Sequence, residues 1–211
     1  MNYRKILVLA PHTDDAELGC GGTIARMLEE GSEVYVAAFS TAVESLPAGM
    51  APDTLENEFR DAMAVIGVKP EHVFVYYYPV RKFSYQRQEI LEELVKLRRD
   101  IKPDLVLLPS SQDVHQDHQV IHAEGVRAFK EVSVFGYELP WNQPHSSASA
   151  VIRLERRHLE RKWLALQMYR SQLALERTYF SKEFITGLAS VRGIQIKTEL
   201  AEAYEVVRVS L

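Results

Sequence analysis

KILVLAPHTDDAELGCGGTIA, residues 5–25, passes from an apolar run through a polar turn and a glycine cluster into a helical pattern. ILVLA is continuously apolar instead of alternating, which is the signature of a strand covered on both faces, as in a parallel sheet. Similar runs recur downstream as EVYVAAF (33–39), HVFVYYY (72–78), DLVLLP (104–109) and VSVFGYEL (132–139). Helical patterns at 22–31, 53–67, 89–103 and 118–130 separate them, with Gly31 and Gly67 placed as left-handed helix ends and Pro103 as a stop. The order βαβαβαβαβ implies right-handed crossovers, and hence a Rossmann-like three-layer αβα sandwich with a mostly parallel sheet. Beyond Leu139 the alternation weakens into a strand AVIRL, a long helix from Glu155 to about Gln172, another over 181–191, and a terminal strand AYEVVRV. No repeat, low-complexity tract or linker interrupts the chain, so one domain over 1–211 is expected.

The 211 residues are 46% hydrophobic and 26% charged, the composition of a folded globular protein. The formal charge, 25 − 29 = −4, offers no basic footprint for nucleic acid, so a small ligand is the expected partner. The single cysteine, Cys20, allows no intrachain disulfide and favours a reducing compartment, so a cytoplasmic location is expected. The first apolar run, roughly six residues, is shorter than a signal-peptide core and is followed by carboxylates. No stretch of about 18 apolar residues supports a membrane span.

Ligands of open parallel sheets bind beyond the carboxyl ends of the strands. PHTDD (11–15) leaves the first strand there, and SSQDVHQDH (110–118) leaves the fourth. His12 and Asp15 offer two zinc ligands, and a histidine of the second loop offers the third, leaving a position open for water as in hydrolytic zinc sites. Asp14, adjacent to a ligand, is the candidate base for that water. By itself, the Asp14-Asp15 pair reads most often as a turn or helix cap. The cluster of His115, Asp117 and His118 at a second strand end is what raises the metal reading.

Other readings of the same residues fit less well. His118 and His122 have helical i, i+4 spacing, but a zincin needs Glu directly after the first histidine, and Gln119 stands there. GCGGTIA departs from GxGxxG at Ile24 and lies about ten residues beyond the strand, so its glycines read as a tight turn into the helix. No GxSxG elbow supports serine hydrolase chemistry.

Taken together, Pro11-His12-Thr13-Asp14-Asp15 with Gly21-Gly22, His115-Gln116-Asp117-His118, the Lys162, Ala165-Leu166 and Ser171-Gln172 signature, and Arg192-Gly193 with Ala201-Glu202-Ala203-Tyr204 resemble the PIG-L/LmbE family of zinc-dependent N-acetylglucosaminyl deacetylases. The resemblance implies His12, Asp15 and His118 as ligands of one zinc, or another divalent metal, per subunit. It implies Asp14 as general base, His115 as a charged histidine facing the oxyanion, and Asp117 as the residue that orients His115 and tunes its pKa. The implied activity is removal of the N-acetyl group from an N-acetylglucosamine-type sugar or conjugate, by a homo-oligomer. Thr13 and Gln116 stand where the family has prolines, and Thr41-Ala42-Val43-Glu44 where it has a T-x-GE loop. A substrate arginine of some members falls at Leu55, with Arg60 farther along the helix as the substitute, and a tyrosine of some members falls at Asp113. Glu44 and Arg60 are accordingly the expected substrate contacts. An O-acetyl esterase, or a sugar-binding domain without turnover, are the alternatives.

Overall fold

The structure, a computed structural model, describes residues 3–210; Met1, Asn2 and Leu211, which the one-domain expectation includes, lie outside them. Strands β1 (Lys5–His12), β2 (Glu33–Ser40), β3 (Val73–Val75), β4 (Leu105–Pro109), β5 (Ser133–Tyr137), β6 (Ala150–Leu154) and β7 (Leu200–Arg208) form one sheet in the order β3-β2-β1-β4-β5-β7-β6. The first five are parallel, whereas β7 runs antiparallel to both β5 and β6. This is the expected mostly parallel three-layer architecture.

Continuous hydrophobicity has the expected cause. Along β1, Ile6, Val8 and Ala10 enter one core, while Leu7 and Leu9 enter the other. Strand β4 divides likewise, with Leu105 and Leu107 on the first side and Val106 and Leu108 on the second. Helices α1 (Asp15–Glu29), α2 (Thr54–Ile66) and α5 (Arg156–Leu166) cover the first face. Helices α3 (Arg87–Ile101) and α4 (Gln116–Ala128) cover the second. The remaining helices are α6 (Arg170–Leu173) and α7 (Lys182–Gln195). Gly31 and Gly67 end their helices with φ of 90° and 106°, as their glycine identity suggests. Among the described residues no helix is long and apolar enough to cross a membrane.

Three expectations change. The glycine cluster is not a turn: α1 begins at Asp15 and carries Gly19, Gly21 and Gly22 inside it, with a break at Cys20 (φ −145°, ψ 20°). A Cβ on Gly19 would lie 2.3 Å from the Tyr137 ring, and one on Gly21 2.9 Å from Lys162 Cγ, so the glycines permit close packing. The third strand is shorter than HVFVYYY suggests, although the N–H groups of Tyr76 and Tyr78 still donate to Ala38 and Phe39 carbonyls. The long helix from Glu155 divides at Tyr169 (φ −78°, ψ 65°), whose buried side chain turns in to place its hydroxyl on the Thr13 carbonyl.

Candidate metal centre and active site

Strands β1 and β4 are neighbours at the middle of the sheet, so the loops after His12 and Pro109 open on one crevice. Asp14 occupies the N-cap position of α1, yet its side chain makes no capping bond, which removes the cap reading for its carboxylate. The second loop is held by Asp113, whose Oδ1 accepts the His115 N–H at 2.9 Å. At the start of α4, the Asp117 N–H donates to Nδ1 of His115 at 3.2 Å. Ser110 and Ser111 anchor the loop to β7, since both hydroxyls and the Ser111 N–H donate to the Glu205 carboxylate.

Three candidate ligand atoms converge. His12 Nδ1 lies 3.1 Å from Asp15 Oδ2 and 3.2 Å from His118 Nε2, and the last two are 3.3 Å apart. Metal bonds of about 2.0–2.1 Å in tetrahedral geometry place neighbouring ligands about 3.3–3.4 Å apart, so this triangle has the edge of a zinc-sized site. Each histidine is braced from behind by a carboxylate, His12 Nε2 by Asp117 Oδ2 at 3.2 Å and His118 Nδ1 by Asp113 Oδ2 at 2.8 Å. Such contacts fix which ring nitrogen faces a metal. His115 joins His12 and His118 in a looser group whose ligand atoms lie within 4.8 Å. We favour the tighter triangle as the ligand set, with His115 alongside it. His122 is turned away, its Nδ1 on the Pro109 carbonyl at 2.8 Å, which removes the i, i+4 pair.

Asp117 meets His115 through its backbone N–H and favours charge on that ring, while its carboxylate has further partners. Its carboxylate takes His12 and the N–H groups of Arg81 and Phe83, and only its backbone meets His115. The reason is placement within α4: the first-turn side chain points into the sheet, toward the end of β1. The surroundings of His115 oppose charge on its ring. Burial, followed by the positive charges of His118 and His12, holds its imidazole down to about 4. Burial also opposes charge on His118, but the Asp15 and Asp113 carboxylates outweigh it and raise that ring to about 10. Burial and then the Asp15 charge push Asp14 up to about 6. Asp15, by contrast, stays ionised, because His118 and His12 overcome the cost of its burial.

His12, Asp14, Asp15, His115 and His118 floor a cavity of about 260 Å³. Neither Glu44 nor Arg60 lines it. Glu44 lies on the exposed side of a 3₁₀ turn, and Arg60 lies outward on α2 in an ion pair with Glu56 at 2.8 Å. Ala42, Ser45 and Leu55 take their place in the wall. The opposite wall, Trp141, Asn142, Gln172, Arg177 and Tyr179, comes from the C-terminal third, where no motif singled out Trp141, Arg177 or Tyr179.

Beneath the floor, the break in α1 is filled by a buried pair. Lys162 Nζ lies 2.7 Å from Glu202 Oε1 and donates to the Leu18 carbonyl at 2.8 Å. Glu202 in turn accepts the N–H groups of Gly22 and Thr23 at 3.0 and 2.7 Å. The pair therefore caps both helix ends created at Cys20, which gives the Lys162 and Ala201-Glu202-Ala203-Tyr204 signatures a structural purpose.

The sequence profile described as GlcNAc-PI de-N-acetylase (PIG-L) matches residues 7–129, more than half of the chain. An uncharacterized deacetylase, YaiS, of Escherichia coli K12 is 29% identical over 145 residues, 66% of this chain and 76% of its own. A diacetylchitobiose deacetylase of Thermococcus kodakarensis is 29% identical over 136 residues, 60% of this chain but only 49% of its own length. Among solved structures, the N,N'-diacetylchitobiose deacetylase of Pyrococcus horikoshii superposes with a TM-score of 0.81 at 20% identity, over 98% of this chain and 84% of that one. GalB, a 4-carboxy-2-hydroxymuconate hydratase of Pseudomonas putida KT2440, gives 0.79 at 19% identity over 99% and 98%, so this fold also carries other chemistry. The motifs, the paired loops at the sheet's switch point and the profile match agree: the chain belongs to the GlcNAc-PI de-N-acetylase (PIG-L) family.

Proposed function

We propose that this chain is a zinc-dependent hydrolase that removes the N-acetyl group from an N-acetylglucosamine-type sugar or conjugate, releasing acetate and a free amine. The observation that carries the reading is the triangle of His12, Asp15 and His118 ligand atoms, with edges of 3.1–3.3 Å, beside an Asp14 carboxylate that caps nothing. Relatives named as deacetylases of acetylated sugars, such as diacetylchitobiose, support the substrate class. We take 1–211 as one domain.

A metal held by His12 Nδ1, Asp15 Oδ2 and His118 Nε2 supplies Lewis acidity to an amide carbonyl and a water molecule. Asp14 accepts the proton as the water oxygen attacks the acetamide carbon. Burial keeps its carboxyl near neutrality, which suits a base that must return the proton. His115 Nδ1 already accepts the Asp117 N–H, so its remaining proton sits on Nε2, and a neutral imidazole donates that proton's hydrogen bond to the developing oxyanion. When the C–N bond breaks, Asp14 returns its proton to the departing amine.

The test is acetate release by the zinc-loaded chain from N-acetylated sugars and glycosides, with mass spectrometry of the product. A free amine is expected, whereas loss of acetyl from oxygen alone would favour the esterase alternative. Asp14→Asn should keep its metal and lose roughly 10²- to 10⁴-fold in rate, the usual worth of a general base. Full activity in that variant would remove the role given to Asp14.

A further inference from the structure

Asp14 is placed by its backbone. Its carboxylate makes no capping bond, and among the described residues no other side chain holds it. Its direction is therefore set by the turn of residues 13–14 that joins β1 to α1. Both flanks of that turn are fastened, since the His12 N–H donates to Asp15 Oδ2 at 2.8 Å and the Leu18 N–H donates to the Asp14 carbonyl at 3.0 Å. Between them, the Thr13 carbonyl has a single donor among the described residues, the hydroxyl of Tyr169, 156 residues along the chain.

Tyr169 is sealed from solvent at the break between α5 and α6, and its ring meets Phe180 edge-on with centroids 6.2 Å apart. The break is anchored to α2, because the Ser171 N–H and hydroxyl donate to the two oxygens of Glu58 at 2.9 and 2.6 Å. The phenol thus reaches the turn from a fixed base. Its oxygen also lies 2.7 Å from Glu17 Oε1. A hydroxyl owns one proton and a carbonyl supplies none, so both contacts are satisfied when Tyr169 donates to Thr13 and the Glu17 carboxyl donates to Tyr169. Phenylalanine would fill the same volume, so what the tyrosine adds is a hold on the peptide that carries Asp14.

We propose that Tyr169 is a positioning residue for the hydrolysis: its hydroxyl, oriented by Glu17, fixes the Thr13 peptide and through it the direction of the Asp14 carboxylate toward the water it deprotonates. This rests on the reading of Asp14 as general base. Thr13, unlike a proline, leaves its own φ free, so the restraint comes from outside the turn. A misplacement of about 1 Å at a reacting group costs about a hundredfold in rate, which sets the scale of the effect.

The experiment measures acetate release by the zinc-loaded full chain from the acetylated sugar it turns over fastest. Tyr169→Phe should lower kcat per folded chain about ten- to hundredfold, with KM and zinc content unchanged. In an Asp14→Asn background the same change should cost almost nothing, because the two residues act as one unit. Glu17→Gln, whose amide N–H still donates to the phenol, should keep near-native turnover. Thr13→Pro restrains the turn from within: His12 is already extended, as the residue before a proline prefers, and the Thr13 N–H donates to nothing among the described residues. Adding Thr13→Pro to Tyr169→Phe should therefore recover most of the loss. A hydroxyl that only stabilises the fold would lower Tm and leave kcat per folded chain intact. That result, or losses that add in the Asp14→Asn background, overturns the proposal while leaving deacetylation standing. Should Tyr169→Phe not fold, loss of turnover in folded, zinc-loaded Glu17→Gln overturns it, and native turnover there supports it. Full activity in Asp14→Asn would remove the base reading and the proposal together. If no acetylated sugar is hydrolysed, the deacetylase reading fails instead, and crystal structures of native and Tyr169→Phe protein decide the positioning role. Asp14 should turn away in the variant, and identical placement in both would overturn it.

Discussion

The Asp113 carboxylate joins two histidines of the site, holding His118 Nδ1 at 2.8 Å through one oxygen and the His115 N–H at 2.9 Å through the other. Asp113 and His118 are both sealed from solvent. The first contact presents His118 Nε2 toward Asp15 and His12, and the second sets the turn from which α4 begins. Removing a carboxylate that braces a metal-binding histidine costs about 10- to 100-fold in metal affinity. Asp113→Ala should therefore weaken zinc binding by about that factor in a chelator competition. Asp113→Asn, which keeps an acceptor oxygen, should lose less. Native affinity in Asp113→Ala would show that His118 is oriented by packing alone.

Lys162 and Glu202 should not behave as an ordinary buried ion pair. Removing one partner of such a pair costs about 3–5 kcal/mol, and replacing both by apolar groups often restores the loss. Here the same atoms also cap the Leu18 carbonyl and the Gly22 and Thr23 N–H groups at the break in α1. Lys162→Met should destabilise by about 3–5 kcal/mol in denaturant unfolding. The double variant Lys162→Met, Glu202→Leu should remain destabilised, because the helix ends stay unpaired. Native stability in the double variant would show that the break in α1 needs no capping.

The mostly parallel, doubly covered sheet was legible because runs such as ILVLA and DLVLLP have no polar face, as strands covered on both sides require. His12, Asp15 and His118 were legible as residue types at strand ends. Their bracing partners were not. Asp117 meets a histidine 105 residues away, and nothing in HQDH tells which side chain α4 will aim at the end of β1. The start of α1 was missed because glycine is a poor helix former, a preference overridden by the close approach of Tyr137 and Lys162. Arg177 and Tyr179 lie in an irregular segment and Trp141 in a single 3₁₀ turn, whose paths follow from tertiary contacts instead of hydrophobic period.

Glu205 gives a pH dependence with a definite sign. Its partial burial favours the neutral form, but the Ser111 hydroxyl and N–H and the Ser110 hydroxyl outweigh this and lower its pKa. A folded-state pKa below the unfolded value of about 4.3 means the native state binds fewer protons across that window. The stabilisation is thus complete above about pH 4.3 and is lost as pH falls through the folded value. Glu205→Gln should cost up to about 1 kcal/mol at pH 7, a figure kept small because the side chain is partly solvated. The difference should shrink toward pH 3 in unfolding curves taken across the range. A constant difference would assign the effect to hydrogen-bond geometry instead of charge.

His115 and His118 can be separated by metal-linked stability. A metal that binds only the folded chain raises stability by RT ln(1 + [M]/Kd), about 2.7 kcal/mol at a hundredfold excess over Kd. With the proposed ligand set of His12, Asp15 and His118, His118→Ala should abolish most of the zinc-induced rise in Tm and lower bound zinc below one per chain. His115 Nδ1 accepts the Asp117 N–H, so a neutral ring carries its proton on Nε2 and has no lone pair to spare for a metal unless that hydrogen bond is given up. His115→Ala should therefore keep the Tm rise and the zinc content while losing turnover. The opposite pattern, with zinc lost in His115→Ala and retained in His118→Ala, would make the looser three-histidine group the metal site and leave Asp15 as a bracing carboxylate.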